Sequence, residues 1–201
     1  GQKQTLQTLL TGLTGEDARS QYEQFYITRL LATVMNRTKD HEAARQLYES
    51  VLAMRPNDVM SLNNLAYLLL EDLKEPKAAL PYAKRAVELA PGDANVLDTL
   101  GWCHLALGEY DQGIGRLREA IQINPMVATF HYHVAEGLYR RSQVSGNPDT
   151  ETDRSAAKDA CQLAHRMIMD NGQDPHGDLP QIVKLGEQLG LILDKEIPSR
   201  P

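Results

Sequence analysis

The octapeptide AVELAPGD, Ala86 to Asp93, has two near-copies in the chain: VLAMRPND, Val51 to Asp58, and AIQINPMV, Ala120 to Val127. Each closes an apolar run on a proline. The three prolines, Pro56, Pro91 and Pro125, are separated by 35 (91 − 56) and 34 (125 − 91) residues. A period of that length is the mark of one supersecondary unit used several times. Placing proline late in a 34-residue frame gives repeats at 25–58, 59–93 and 94–127, and a fourth that opens at Ala128 and runs to 171.

Each half of a frame reads as a helix. In the third frame Leu97, Leu100, His104 and Leu105 recur at helical spacing, and Ile114, Leu117, Ala120 and Ile121 do so again. Between them LGEYD, Leu107 to Asp111, supplies a glycine turn that lets the second helix fold back on the first. Pro125 then ends the hydrogen-bond ladder. Neither helix buries its apolar face alone, whereas stacked pairs do.

This arrangement resembles the tetratricopeptide repeat family over 25–171. The family's pattern is met in the third repeat by Leu97, Leu100, Gly101, His104, Gly113, Leu117, Ala120 and Pro125. The second offers Leu62, Leu65, Ala66, Leu69, Ala79, Ala83, Ala86 and Pro91, and the first Thr28, Leu31, Ala32, Met35, Ala44, Tyr48, Val51 and Pro56. The resemblance implies an all-α fold: a right-handed α-α superhelix, or solenoid, of about four helix pairs plus terminal helices. One position of the first helix stays small (Ala32, Ala66, Gly101, Ala135), as does one of the second (Ala44, Ala79, Gly113, Ala157). The two helices are expected to approach closely there, and a Leu would overpack by about 1–3 kcal/mol.

Outside the repeats, 1–24 reads as an N-terminal helical segment, a cap or the remnant of a preceding repeat, with Leu6, Leu9, Leu10 and Leu13 on one face. The stretch SQVSGNPDTETD, Ser142 to Asp153, lengthens the fourth hairpin and is expected to be a mobile surface loop, with 143–153 inserted. Residues 172–201 read as a linker and a capping helix. Asp178 is expected at its N-cap, Pro180 in its first turn, and Ile182, Leu185, Leu189 and Ile192 along its apolar stripe.

Composition narrows the function. A net charge of −6 on 201 residues argues against non-specific binding to nucleic acid or an anionic membrane, because a polyanion is repelled. Two cysteines form neither a disulfide framework nor a zinc pattern. The chain opens at Gly1 without Met or a signal peptide, which reads as a fragment of a larger protein. Cytoplasm and bacterial periplasm are the compartments expected.

Trp102, Cys103 and His104 look like chemistry in a row. Successive helical side chains diverge by about 100°, so they read as three faces of one helix. Cys103 is expected as a small hydrophobe between repeats and His104 where the family carries a core aromatic. His131 and His133, two apart, point away from each other, and His133 with Glu136 reads as a polar surface pair before a metal site. No catalytic residue, metal ligand or cofactor is expected, and the chain reads as a non-enzyme.

The resemblance also implies a binding face. The family's concave positions fall on Tyr26, Arg29, Thr33, Asn36 and Arg37, then on Met60, Asn63, Tyr67, Leu70 and Glu71. They continue as Asn95, Asp98, Trp102, Leu105 and Ala106, then Thr129, Tyr132, Glu136, Tyr139 and Arg140. Tyrosine and tryptophan join apolar area to a polar tip and are enriched where partners bind. Asn63, Asn64 and Asn95 offer amides to an extended peptide backbone. The expected function is a scaffold for protein-protein interaction that holds an extended or helical segment of a partner in this groove. The alternatives are a structural or dimerising module working through the solenoid ends, an accessory domain of a larger chain, or a groove covered by the protein's own capping helix or missing part. Some relatives grip a terminal carboxylate with basic residues and asparagines. Arg29 and Asn64 fit two of those places, but Thr33, Asn95 and Thr99 occupy others, so a ligand of mixed charge and apolar side chains is expected.

Overall fold

The structure is a computed structural model that describes residues 18–197. The stretch around Leu6 to Leu13 lies outside the described residues. In chain order the helices are α1 (Ala18–Arg37), α2 (His41–Met54), α3 (Val59–Tyr67), α4 (Pro76–Leu89), α5 (Ala94–Ala106), α6 (Tyr110–Ile123), α7 (Ala128–Ser142), α8 (Thr150–Asn171) and α9 (Leu179–Leu189). There is no strand among the described residues. The chain forms two compact units, the N-terminal one ending at Ala90 and the C-terminal one beginning at Pro91. In the N-terminal unit α1 packs on α2 and α3 on α4. In the C-terminal unit α5 packs on α6, α7 on α8, and α9 against α8.

The repeated octapeptide now has a physical meaning. Asp58 accepts a hydrogen bond from the Ser61 amide at 3.0 Å and so caps α3. Asp93 does the same for α5 through the Asn95 amide at 2.8 Å. Each proline thus stops one helix and the aspartate two residues later starts the next. The third copy ends in Val127, and α7 begins without a side-chain cap.

The small positions are buried as expected: Ala32, Ala44, Ala66, Ala79, Ala135 and Ala157 have no exposed surface. In the pair α5–α6 glycines stand at both positions. A Cβ on Gly101 would lie 2.9 Å from the Gly113 carbonyl oxygen, and one on Gly113 would lie 2.8 Å from that of Gly101. The two backbones touch, so neither site has room for a methyl group.

The 35-residue spacing has a structural cause. Ala32 to Ala44 and Gly101 to Gly113 are each 12 residues apart (44 − 32; 113 − 101), but Ala66 to Ala79 is 13 (79 − 66). The extra residue falls where α3 runs into a π-helical turn, Leu68–Asp72. A wider turn of this kind is how a helix absorbs one inserted residue without breaking. It buries Leu68, Leu69 and Leu70 in succession, and Lys74 leaves the turn with φ 57°.

Two expectations about the C-terminal part are corrected. The inserted loop is only 143–149, because α8 starts at Thr150 and the rest of the insertion lengthens that helix. It is also tied down. Arg141 grips Asp153 through two hydrogen bonds of 2.9 and 2.6 Å. The Asn147 side-chain amide donates to the Asp153 carboxylate and to the Arg141 carbonyl. Asp178 stands at the start of α9, but the capping side chain is Asp174, whose two carboxylate oxygens accept from the Asp178 and Leu179 amides at 2.9 Å. Asp178 instead accepts from the Thr129 hydroxyl. The stripe of α9 buries Ile182, Leu185 and Leu189, while Ile192 lies beyond Gly190, where φ is 78° and the helix ends, and is fully exposed.

Candidate partner-binding surface

The expected groove residues are in opposite conditions in the two units. In the C-terminal unit they are used on one another. Asp98, on α5, accepts a hydrogen bond from His133 Nδ1 of α7 at 2.8 Å, and both are buried. Being held by the carboxylate, the His133 ring stacks on the Trp102 indole, with centroids 4.1 Å apart and planes within 15°. Tyr132 leans on both rings. Arg140 covers the indole from 5.3 Å and is itself oriented by Glu136 at 2.7 Å. Trp102 and Tyr132 are each left 8% exposed. Leu105 is buried, filling the space that Gly113 and Gly137 leave, and Leu70 is buried in the π turn. These two leucines are core residues, because the turn and the facing glycines draw them inward. Asn95 is exposed, and Tyr139 is half-buried.

In the N-terminal unit, apart from the buried Leu70, the same positions are exposed or half-buried. Tyr26, Arg37, Met60 and Tyr67 are exposed. Arg29 is half-buried and paired with Asp58 at 3.1 Å. Asn36 is half-buried, with Oδ1 3.3 Å from His41 Nδ1. Asn63 is half-buried, and its Oδ1 is shielded from solvent without a hydrogen-bond partner. Met60, Asn63 and Tyr67 stand three and four residues apart and therefore share one face of α3.

The residues that looked chemical are occupied structurally. His104 Nδ1 sits 2.5 Å from a Glu109 carboxylate oxygen, and His165 Nε2 lies 2.9 Å from the Asp194 carbonyl. His133 pairs with Asp98, not with Glu136. Cys103 and Cys161 are thiols with no exposed surface. Burial pushes the Cys161 thiol up to about 11, and it donates to the Ile182 carbonyl at 3.4 Å. Among the described residues no three His, Cys, Asp or Glu side chains converge as a metal site would require, and no helix is long and apolar enough to cross a membrane.

Two tetratricopeptide repeat family models match the chain, one over residues 37–94 and one over 70–133. Between them the two models take in residues 37–133, and over that stretch the chain carries tetratricopeptide repeats. A TPR repeat-containing protein of Pseudomonas aeruginosa is 32% identical over 75 residues. That alignment takes in 37% of this tetratricopeptide chain and only 13% of the relative. Solved structures share the fold at lower identity. MamA of Desulfovibrio magneticus superposes with a TM-score of 0.62 at 23% identity, over 80% of this chain and 86% of its own. An O-GlcNAc transferase of Thermobaculum terrenum reaches 0.65 at 22%, over 75% of this chain but 27% of that enzyme. YrrB, described as a tetratricopeptide protein with an unusual peptide-binding site, gives 0.59 at 18%, over 92% and 88%. The tetratricopeptide fold is that of a protein-interaction scaffold in general.

Proposed function

We propose that this chain binds a segment of a partner protein on the first-helix faces of its repeats, and that the N-terminal unit offers the open part of that surface. The observation that carries the reading is the face of α3. Met60, 55% exposed, and Tyr67, 41% exposed, flank Asn63, whose sheltered amide oxygen has no partner. A buried acceptor left unpaired costs about 1–3 kcal/mol, so the Asn63 amide gains by turning outward, where an extended peptide backbone offers it both a donor and an acceptor. Met60 and Tyr67 supply adaptable and rigid apolar area on either side. In the C-terminal unit Asn95, Glu136, Tyr139 and Arg140 extend the reading, with Asp98, Tyr132 and Trp102 as the stacked support beneath them. Binding, not catalysis, is the role this favours: the histidines at 104, 133 and 165 are taken by oxygen partners and both thiols are inside.

The test is photocrosslinking from defined positions. Benzoylphenylalanine replaces Met60 in one variant and Lys84, exposed on α4, in another, and each is irradiated in lysate. The reading expects a discrete crosslinked product from position 60 that is absent from position 84 and lost on adding Asn63→Ala and Tyr67→Ala. Identical products from both positions would overturn it.

A further inference from the structure

The corner of the N-terminal unit where α1 meets the end of α2 carries a separate cluster. Arg55, which closes α2, lays its guanidinium 4.0 Å from the ring centroid of Phe25, 5.5 Å from Tyr22 and 5.8 Å from Tyr26. Arg29 stands 5.1 Å from both Phe25 and Tyr26. Two cations therefore share three rings. Arg29 has Asp58 as its carboxylate, whereas Arg55 has no ion pair among the described residues. The Tyr22 and Tyr26 rings pack 4.4 Å apart. Tyr26 is held below its ordinary phenol range, first by the Tyr22 hydroxyl and then by a hydrogen bond from Arg55. Phe25 is buried and fixes the rings, while Tyr22, Tyr26 and Arg55 are exposed.

We infer that this corner takes the carboxylate of an acidic side chain in the partner segment, between Arg55 and Arg29, with an apolar neighbour of that side chain lying on the Tyr22 and Tyr26 rings. The inference rests on the binding reading above and says what one end of that surface selects. Three features argue for it. A guanidinium donates two parallel N–H groups to a carboxylate, a better acceptor than a phenol. Its flat face already stacks on the rings, so the donor is ordered before the ligand arrives. The chain as a whole carries −6, so a local surplus of positive charge suits a short acidic stretch, whereas a long polyanion such as nucleic acid would be repelled by the remainder. The site is continuous with the face of α3, because Arg29 holds Asp58, the residue that caps that helix.

The experiment uses the full chain and a fluorescein-labelled peptide, Glu-Leu-Glu-Glu-Leu-Glu, followed by anisotropy at low and high salt. Binding that weakens with salt is expected, together with a loss of about tenfold or more for Arg55→Glu, since like charges then face each other. Arg55→Lys should fall between, because an ammonium has charge without the flat fork. Arg55 is on the surface, and circular dichroism of the variants confirms the fold. Tyr22→Ala, with both arginines intact, should weaken the same peptide by a smaller factor. Equal affinity of wild type and Arg55→Glu, equal affinity for the Gln-Leu-Gln-Gln-Leu-Gln peptide, or no binding at low salt overturns the inference. So does tighter, Arg55-dependent binding of a labelled single-stranded oligonucleotide. If position 60 still crosslinks a partner while the acidic peptide fails, the binding reading stands and this inference falls. If both fail, both fall.

Discussion

Tyr67 and Trp102 occupy the same place in consecutive repeats, yet one is 41% exposed and the other 8%. Each is the large aromatic that follows a small residue, Ala66 or Gly101, on the first helix of its pair. What separates them is the company supplied by other helices. Trp102 meets His133, which Asp98 holds in place, and Arg140 closes over it. Tyr67 stands beside an unpaired Asn63 oxygen and above a π turn that has drawn the next three leucines into the core. Position in a repeat decides which way a side chain points. Neighbours decide whether anything is left for a partner to touch.

The helix contact of the C-terminal unit should be the most sensitive point. Gly113→Leu should destabilise the C-terminal unit by about 3 kcal/mol, because its Cβ would meet the Gly101 carbonyl and a flexible neighbour cannot yield there. Ala79→Gly, at the matching site of the N-terminal unit, should cost only about 1 kcal/mol. Urea unfolding followed by Trp102 fluorescence and by circular dichroism separates the two, and equal losses would deny the difference in approach.

Next in size is the anchor of the inserted loop. Asp153→Asn should cost about 2 kcal/mol at neutral pH by removing the charged acceptor that Arg141 and Asn147 share. The Arg141 guanidinium, by its hydrogen bonds, holds the Asp153 carboxyl below its usual range. A carboxyl lowered on folding stabilises above its unfolded value, about pH 4, and loses that contribution as pH falls through the folded value. The urea midpoint of wild type should therefore converge on that of Asp153→Asn in acid, and a constant gap across the range would remove this pair from the account.

Asp98→Ala should cost about 1–2 kcal/mol and release the indole from its stack. Iodide quenching of the single tryptophan should rise in that variant. Unchanged quenching would mean that Arg140 alone shields the ring. Smallest of all, Tyr67→Ala should alter stability by less than about 0.5 kcal/mol, as exposed substitutions do, while lowering crosslinking from position 60. A large loss of stability there would make Tyr67 a core residue.

The helix pairs were legible because few residues answer two demands at once. Pro56, Pro91 and Pro125 must stop a helix, and Ala44, Ala79 and Gly113 must let two backbones meet. Such constraints are local and leave a mark at fixed spacing. The burial of Trp102 was not legible, because it depends on a histidine 31 residues later (133 − 102) and on the carboxylate that turns it. Leu70 and Leu105 look like groove residues by count alone, and only packing shows them inside. Asp174 and Asp178 are equally plausible caps in sequence, and the geometry of the linker decides between them. The Tyr22, Phe25, Tyr26 and Arg55 cluster escaped for another reason: Arg55 belongs to a second helix, and the family's pattern directs attention to first helices.

The π turn between Leu68 and Asp72 bears on how such a chain changes over generations. A stray codon in most helices rotates everything downstream by about 100° and exposes the core. Here the widened turn swallows the added residue, and by Ala79 and Pro91 the pattern has recovered its phase. A repeat protein with such a turn forgives a single-residue insertion, and deleting one residue between Leu68 and Asp72 should give back the ordinary period of its neighbours.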